Sequence, residues 1–347
     1  MPKEEIGKRI AVYGAGSLGT IVGALLSKAG KDVDLIDTNA EHVKALNEKG
    51  AKIIGHLDLL QPVKAIFPDD AKEPYDYIIY LTKPTQNESA LKQVVRCLKP
   101  DGVVVVCQNG MPEEAVAEAV GQGRVVGCVI GWGATWMEPG VSKLTSPVDL
   151  MTFYLGELDN QVTERLKAIV DIFNDIGKAS IIPDLRGGRW SKLTVNCAFS
   201  TMSAVVNGTY GDVIDHPKAI RCAAFIYNEA MAIAAAAGIK PISDTPGFSY
   251  EMLTFKSGQE LEQKIPIFKQ LLAEHRSIKT QMLFDIAAGR YPEIDTTYNG
   301  ILLRWGEKYK VPTPVNQQVV DIVHQMAGGK LEPSAANVDL ITLPDLS

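Results

Sequence analysis

Three short stretches of this chain hold residue types at spacings that chemistry can use. The first is Gly14-Ala15-Gly16-Ser17-Leu18-Gly19, which ends the apolar run 9–13 and opens a stretch, 17–29, where Leu18, Ile21, Val22, Leu25 and Leu26 recur at helical spacing. A glycine triplet alone is weak, but after a strand and at the start of a helix it reads as a dinucleotide-binding turn. There Gly14 permits the tight turn, Gly16 lets backbone approach a pyrophosphate, and Gly19 lets helix pack on strand. The free amides and the positive end of the helix face the phosphates. The second stretch ends on Asp37, which closes the next strand. A carboxylate there accepts both ribose hydroxyls of the adenosine and repels a 2′-phosphate, so Asp37 favours NAD(H) over NADP(H). Its competing role is to cap the following helix, although Thr38 and Asn39 can do that instead. The third stretch is 190–196, where Lys192 and Asn196, four apart, share one helix face. A lysine and an amide beside an apolar helix can polarise and protonate a carbonyl oxygen as hydride reaches its carbon. Taken singly, a solvated lysine and a helix-face asparagine are the commoner explanation.

The elements that must carry these groups follow from periodicity. A strand at 9–13, a helix at 17–29 stopped by Gly30, a strand at 32–36 and a helix at 39–49 stopped by Gly50 form a parallel strand–helix–strand unit. The runs 77–81 and 103–107 are apolar and β-branched, as strands buried on both faces are. A helix at 113–120 and a strand at 124–130 continue the alternation. Residues 131–145, rich in Gly and Trp, and 151–155 read as antiparallel strands finishing the same sheet. An amphipathic helix at 164–176 and a strand at 179–182 follow.

After Asp184-Leu185-Arg186-Gly187-Gly188 the texture becomes helical: 190–206, 216–237, 260–272, 280–288, 296–309 and 316–326. The expectation is therefore an α/β N-terminal Rossmann-type doubly wound sheet, the dinucleotide-binding domain, over 1–185. An all-α C-terminal domain for substrate and dimerisation spans 186–330, and a loosely attached tail spans 331–347. The small-residue face at 230–237 suits close helix packing or a subunit contact. Trp132 and Trp136 suit sheet-edge packing or a wall beside the cofactor.

Bulk properties exclude several classes. The 347 residues are 46% apolar and 22% charged with net charge −6, and no Lys/Arg run stands out, so nucleic acid is a poor partner. Five cysteines at wide spacings and five scattered histidines favour buried free thiols and argue against a metal site. No histidine lies near a candidate nucleophile in a motif, so no Ser–His–Asp arrangement can be built. The start, Met-Pro-Lys-Glu-Glu, lacks an apolar signal core, and no apolar stretch suits a bilayer span, so a cytoplasmic protein with no membrane partner is expected.

The ordered set of motifs resembles the ketopantoate reductase family over most of the chain. It comprises Gly14 to Gly19, Lys83 after a buried strand, the turn Gln108-Asn109-Gly110, the helix at 190–196, DIAAGRYPEID at 285–295, Asn299-Gly300 and VPTPVN at 311–316. The resemblance implies reduction of a small-molecule 2-oxo acid, ketopantoate to pantoate, with NADP(H) as the usual cofactor and a homodimer. It implies that Lys192 is the general acid for the keto oxygen and that Glu293 holds and orients the substrate hydroxyl. It places Asn109 near nicotinamide and substrate, Asn196 on the substrate, and Lys83 where it helps hold both. Three positions depart from the pattern: Ser200 stands for a second asparagine, Gln281 for a serine that meets the substrate, and Phe284 for a common glutamine. Ser200 and Gln281 stay in the substrate-binding set, but the changes leave open another branched 2-oxo acid. Asp37 also departs, since family members often carry a basic residue there. A non-catalytic NAD(H)-sensing protein would need the glycine turn and Asp37, but not Lys192, Asn196 and Glu293.

Overall fold

The computed structural model describes residues 7–243 and 245–346. In the first part of the chain the strands are β1 (Ile10–Tyr13), β2 (Val33–Ile36), β3 (Ala51–Gly55), β4 (Leu59–Gln61), β5 (Lys64–Ile66), β6 (Tyr75–Tyr80), β7 (Leu98–Val106), β8 (Val125–Ile130), β9 (Ala134–Glu138), β10 (Val141–Leu144), β11 (Thr152–Glu157) and β12 (Lys178–Ile181). The helices between them are α1 (Ser17–Lys28), α2 (Ala40–Lys49), α3 (Asn87–Cys97), α4 (Glu113–Val120) and α5 (Glu164–Asn174). Eight strands form one sheet in the order β12-β11-β8-β7-β6-β1-β2-β5. From β5 to β8 every pairing is parallel, and the chain order reverses between β1 and β6, the doubly wound pattern. β11 runs antiparallel to β8 and parallel to β12.

Alternation of buried residues explains the β-branched runs. Val12, Ile79 and Val105 face a core shared with Ile21, Val22 and Leu26 of α1 and Leu166, Ile169 and Phe173 of α5. Their neighbours Ala11, Ile78, Val104 and Val106 face the opposite core, with Leu91 and Val94 of α3 and Val116 of α4. Both faces are covered, so no position in these strands is free to be polar without a partner.

One expectation for this region fails. Residues 131–145 do not finish the main sheet. β9 and β10 form a hairpin that joins β3 and β4 in a separate four-stranded sheet, ordered β4-β3-β10-β9. Val141–Leu144 pairs parallel with residues 52–55 of β3, and this small sheet lies against α1. The pairing partner is too distant in sequence for a local pattern to reveal it.

The chain divides into two compact units after Leu185. The second unit holds α6 (Leu185–Val195), a π-helical turn (Asn196–Ser200), α7 (Thr201–Val205), α8 (Tyr210–Asp215), α9 (Pro217–Ala236), α10 (Gly258–Leu271), α11 (Gln281–Ala287), α12 (Ile294–Thr297), α13 (Asn299–Tyr309) and α14 (Pro314–Ala327). The segment expected as one helix over 190–206 begins earlier and is broken by the π-turn. Gly187 and Gly188 are poor helix formers, but they are buried within α6, so packing outweighs propensity.

Helix α9 is the core element of this unit. Pro217 opens it, and His216 Nδ1 accepts the backbone N–H groups of Lys218 and Ala219 at 3.2 and 3.3 Å. Ala219, Ala223, Ala230 and Ala234 are buried inside the domain, while Ala232, Ala235 and Ala236 are exposed, so the small-residue stretch packs within the unit on one side only. Among the described residues it is the one helix long and apolar enough to cross a membrane, and most of it is buried. All five cysteines are free and buried. The C-terminal segment is not loose. Val338 and Ile341 are buried, and Gln318 exchanges hydrogen bonds with the backbone N–H and carbonyl of Thr342 at 2.8 and 3.0 Å. The apolar residues Val338, Leu340, Ile341 and Leu343 follow neither helical nor strand spacing, which is why the sequence conceals this docking.

Candidate functional site

Residues Gly14–Gly19, Asp37, Lys83 and Asn109 follow the carboxyl ends of β1, β2, β6 and β7, four neighbouring parallel strands. They therefore line one edge of the sheet at the point where strand order reverses, the standard ligand position in open α/β sheets. The turn is built tightly. The N–H groups of Gly14 and Ala15 both donate to the carbonyl of Ile36, at 2.9 and 3.1 Å. Gly14 has φ +96, and a Cβ there would lie 2.7 Å from the backbone nitrogen of Thr82. A Cβ on Gly19 would lie 3.0 Å from the carbonyl carbon of Gly14 and 3.3 Å from Val12 Cγ1. Gly16, by contrast, faces open space, with nothing within 4 Å of an added Cβ. It is the N-cap of α1, no side chain caps that helix, and no acidic residue lies in its first turn. The amide end of α1 is thus open to an anion, which fits a dinucleotide phosphate.

Asp37 is half-buried and its Oδ1 accepts the N–H of Asn39 at 2.9 Å. Asn39, not Asp37, caps α2, through Oδ1 to the His42 N–H at 3.1 Å. Lys83 and Asn109 are half-buried, the first before a short turn at Pro84–Gln86 and the second beside Gly110, which has φ +84. Gln108 ties these two loops together: its Nε2 donates to the Thr82 carbonyl at 2.8 Å and to Asn87 Oδ1 at 2.7 Å. Trp132 is buried edge-on to Phe153 at 5.8 Å, while Trp136 lies 4.5 Å from the ring of His42.

The buried His42 escaped the sequence reading. Its Nδ1 accepts the N–H of Gly140 at 2.9 Å, and its Nε2 lies 2.7 Å from the carbonyl of Ala15 inside the glycine turn. Burial lowers its pKa, against the carbonyl of Ala15 and the charge of Asp37, which both raise it. No local pattern marks such a residue, since His42 is simply the third position of a helix.

In the helical unit Lys192 and Asn196 lie half-buried, one near the end of α6 and the other opening the π-turn. The opposite side of α6 is clamped: Trp190 is fully buried with Nε1 donating to the carbonyl of Ala230 at 3.1 Å, and Ser191 Oγ accepts the N–H of Ile242 at 2.8 Å. The π-turn is widened by the Thr201 N–H reaching back to the Asn196 carbonyl. Such turns recur at functional sites because they re-aim side chains. Ser200 is placed differently from a ligand-facing group. It is buried, its hydroxyl shares a 2.6 Å hydrogen bond with Tyr210, and burial pushes that phenol up to about 12.

Glu293 is half-buried at the start of α12, with Oε2 accepting the Thr297 hydroxyl at 2.8 Å. Gln281 is exposed at the start of α11, and Phe284 is 44% exposed one turn later. Asn299 joins the glutamate segment to the lysine helix. Its Nδ2 donates to the Cys197 carbonyl at 3.2 Å and to Asn316 Oδ1 at 2.7 Å, and its Oδ1 accepts the Thr201 hydroxyl at 2.5 Å. Asn316 in turn donates to Glu229 Oε2 at 2.6 Å, and that carboxylate also accepts the N–H groups of Val315 and Asn316. Burial raises the Glu229 pKa despite these donors. This buried chain holds the π-turn that starts at Asn196 against the segment that follows Glu293.

Comparison with known proteins covers both units. Residues 10–160 match the family model described as Ketopantoate reductase PanE/ApbA, and residues 184–327 match that family's C-terminal model. The 2-dehydropantoate 2-reductase of Pyrococcus horikoshii is 28% identical over 312 residues, 89% of this chain and 94% of that protein. The crystal structure of a PanE/ApbA family ketopantoate reductase from Ralstonia eutropha superposes with a TM-score of 0.78 at 22% identity, covering 93% of this chain and 99% of that one. D-mandelate dehydrogenase, solved in a ternary complex with NADH and anilino(oxo)acetate, superposes with a TM-score of 0.76 at 23% identity, covering 93% and 99%. At these identities the solved structures speak for the fold.

Proposed function

We propose that this chain, which belongs to the ketopantoate reductase family, is an NADH-preferring reductase of a 2-oxo acid, with ketopantoate as the leading substrate. The observation that carries the reading is the pairing of two matched domains, each bringing its own part of the chemistry. The first offers the uncapped amide end of α1 at the glycine turn. The second offers Lys192, Asn196 and Glu293 on segments that Asn299 fastens together.

When bound, the reduced nicotinamide supplies hydride to the keto carbon. The chain's own residues do the rest. The first-turn amides of α1 hold the phosphates, and the Asp37 carboxylate accepts the ribose hydroxyls, which disfavours a 2′-phosphate. Asn109 and Lys83, on the loops after β7 and β6, orient the reacting ends of cofactor and acid. The Lys192 ammonium donates its proton to the keto oxygen as that oxygen gains charge, then recovers a proton from solvent. Asn196 and Glu293 hydrogen-bond the acid and its hydroxyl, so the carbonyl carbon stays in reach. The product is a 2-hydroxy acid.

A second reading keeps the reaction and changes the acid. Ser200 is turned onto Tyr210, and Gln281 and Phe284 present an amide and an aromatic ring at exposed positions. D-mandelate dehydrogenase shares this fold, so the frame by itself does not select the acid. One experiment separates these outcomes. Purified wild type and Lys192→Ala are assayed with ketopantoate and a panel of 2-oxo acids, with NADH and NADPH at equal concentration. The expected result is NADH-dependent reduction, highest with ketopantoate and lost in Lys192→Ala. A strong NADPH preference refutes the role of Asp37, and near-normal turnover by Lys192→Ala removes that lysine from the chemistry.

A further inference from the structure

We infer that His42 is a positioning residue of the dinucleotide turn, holding the Ala15–Gly16 peptide so that the Gly16 amide points at the bound phosphate. The inference rests on the reading of Gly14–Gly19 as that turn. A backbone N–H can only donate, so the 2.9 Å contact from Gly140 makes His42 Nδ1 an acceptor and puts the ring proton on Nε2. Nε2–H then donates to the Ala15 carbonyl at 2.7 Å, and the Thr20 hydroxyl donates to the same carbonyl at 2.7 Å. The peptide unit is planar and trans, so its carbonyl and the next N–H point in opposite directions. Two donors that pull the Ala15 carbonyl inward therefore aim the Gly16 N–H outward, over the side of Gly16 that is open.

The other end of the imidazole reaches the β9–β10 hairpin, through Gly140 and through the ring of Trp136 at 4.5 Å. The small sheet thereby braces the phosphate turn through one side chain. Protonation breaks this arrangement, because a second N–H at Nδ1 would face the Gly140 N–H. Thr20 from α1 and Trp136 and Gly140 from the hairpin bring no charge to the ring, and Asp37 is the charged group that bears on it. Burial opposes the imidazolium more than Asp37 supports it. Dinucleotide affinity should therefore hold at neutral pH and fall in acid, below the ordinary histidine range of about 6.5.

The test titrates NADH and NADPH into wild type, His42→Leu and His42→Gln without any 2-oxo acid, following nicotinamide fluorescence from about pH 8 to about pH 5. Full kinetics at neutral pH accompany it. The expected result is a cofactor Kd raised about two-fold to ten-fold in His42→Leu, the net worth of one of the two hydrogen bonds to the Ala15 carbonyl. The KM for the acid, and kcat at saturating cofactor, should stay near wild type. His42→Gln, which can still donate to the Ala15 carbonyl, should recover part of the affinity and lose the acid-side fall. Wild-type affinity in both variants, with only a lowered unfolding temperature, overturns the inference and leaves His42 as packing. An acid-side fall of the same size in wild type and in His42→Gln also overturns it. If wild type binds neither nucleotide, the dinucleotide reading itself is overturned and this inference with it.

Discussion

Gly19→Ala is the sharpest probe of the glycine turn. The added methyl would sit inside contact distance of the Gly14 carbonyl oxygen and only 3.0 Å from its carbon. Gly14 cannot retreat, because the backbone of Thr82 lies 2.7 Å from where its own Cβ would be, and its N–H is held by Ile36. Relief must come from α1, which has to move off β1 by about 1 Å to restore an ordinary contact. Overpacking of this kind costs about 1–3 kcal/mol of stability. The same movement carries the first-turn amides of α1 away from the phosphates. Loss of one charge-assisted hydrogen bond, about 1.5–3 kcal/mol, corresponds to a Kd for NADH raised about 10-fold to 100-fold. Fluorescence titration of NADH and urea unfolding read the two effects separately. A variant that binds NADH within about two-fold of wild type, with unchanged unfolding, would refute the close-packing role of Gly19.

Two further outcomes follow from buried polar contacts. Asn299→Leu leaves the Asn316 amide oxygen, the Thr201 hydroxyl and the Cys197 carbonyl without the bonds Asn299 makes, each worth about 1–3 kcal/mol when buried. It should lower kcat/KM for the 2-oxo acid while leaving NADH affinity unchanged, and a loss confined to NADH binding would contradict it. Burial pushes Asp76 up, but donors from Lys99, the Arg9 backbone and Lys8 outweigh it and hold the carboxyl below its usual range. A depressed carboxyl adds stability above its unfolded pKa of about 3.9, and that stability is lost as pH falls through the folded value. Urea midpoints taken from neutral pH down into that acid window should therefore fall less steeply in Asp76→Asn than in wild type. Parallel curves would show that Asp76 is not the group responsible.

What the sequence discloses depends on whether the stabilising partner is near in the chain. The unit from β1 to α2 is legible because each signal is local: an apolar strand, helical spacing at Ile21, Val22 and Leu26, the Asn39 cap and the Gly50 stop. The stretch from β3 to β5 is not, since its strands are five, three and three residues long. β3 pairs locally with β4, but its second partner comes only when Val141–Leu144 arrives some ninety residues later. That distant pairing also draws the hairpin away from the main sheet. The π-turn is invisible for a different reason. An apolar helical run reads the same whether its carbonyls are taken four or five residues on, as the Asn196 carbonyl is by Thr201.

The site divides along the same line. Glycine spacing, Asp37 and the Lys192–Asn196 pair are patterns within one element, so they can be read from residues alone. Glu293 came only through resemblance, which also marks Asn299-Gly300 but gives it no role, and His42 came from neither. Both supports work by one device. His42, 27 residues from Ala15, grips the carbonyl just before Gly16, and Asn299, 102 residues from Cys197, grips the carbonyl just after Asn196. Main-chain carbonyls are what a buried side chain can hold with direction, and an unsatisfied buried polar group is costly. Fixing the carbonyl fixes the peptide plane, and the plane sets the neighbouring amide or side chain. Because the two grips lie in different domains, their loss should separate cleanly: His42 variants should fail on the nucleotide, and Asn299 variants on the acid.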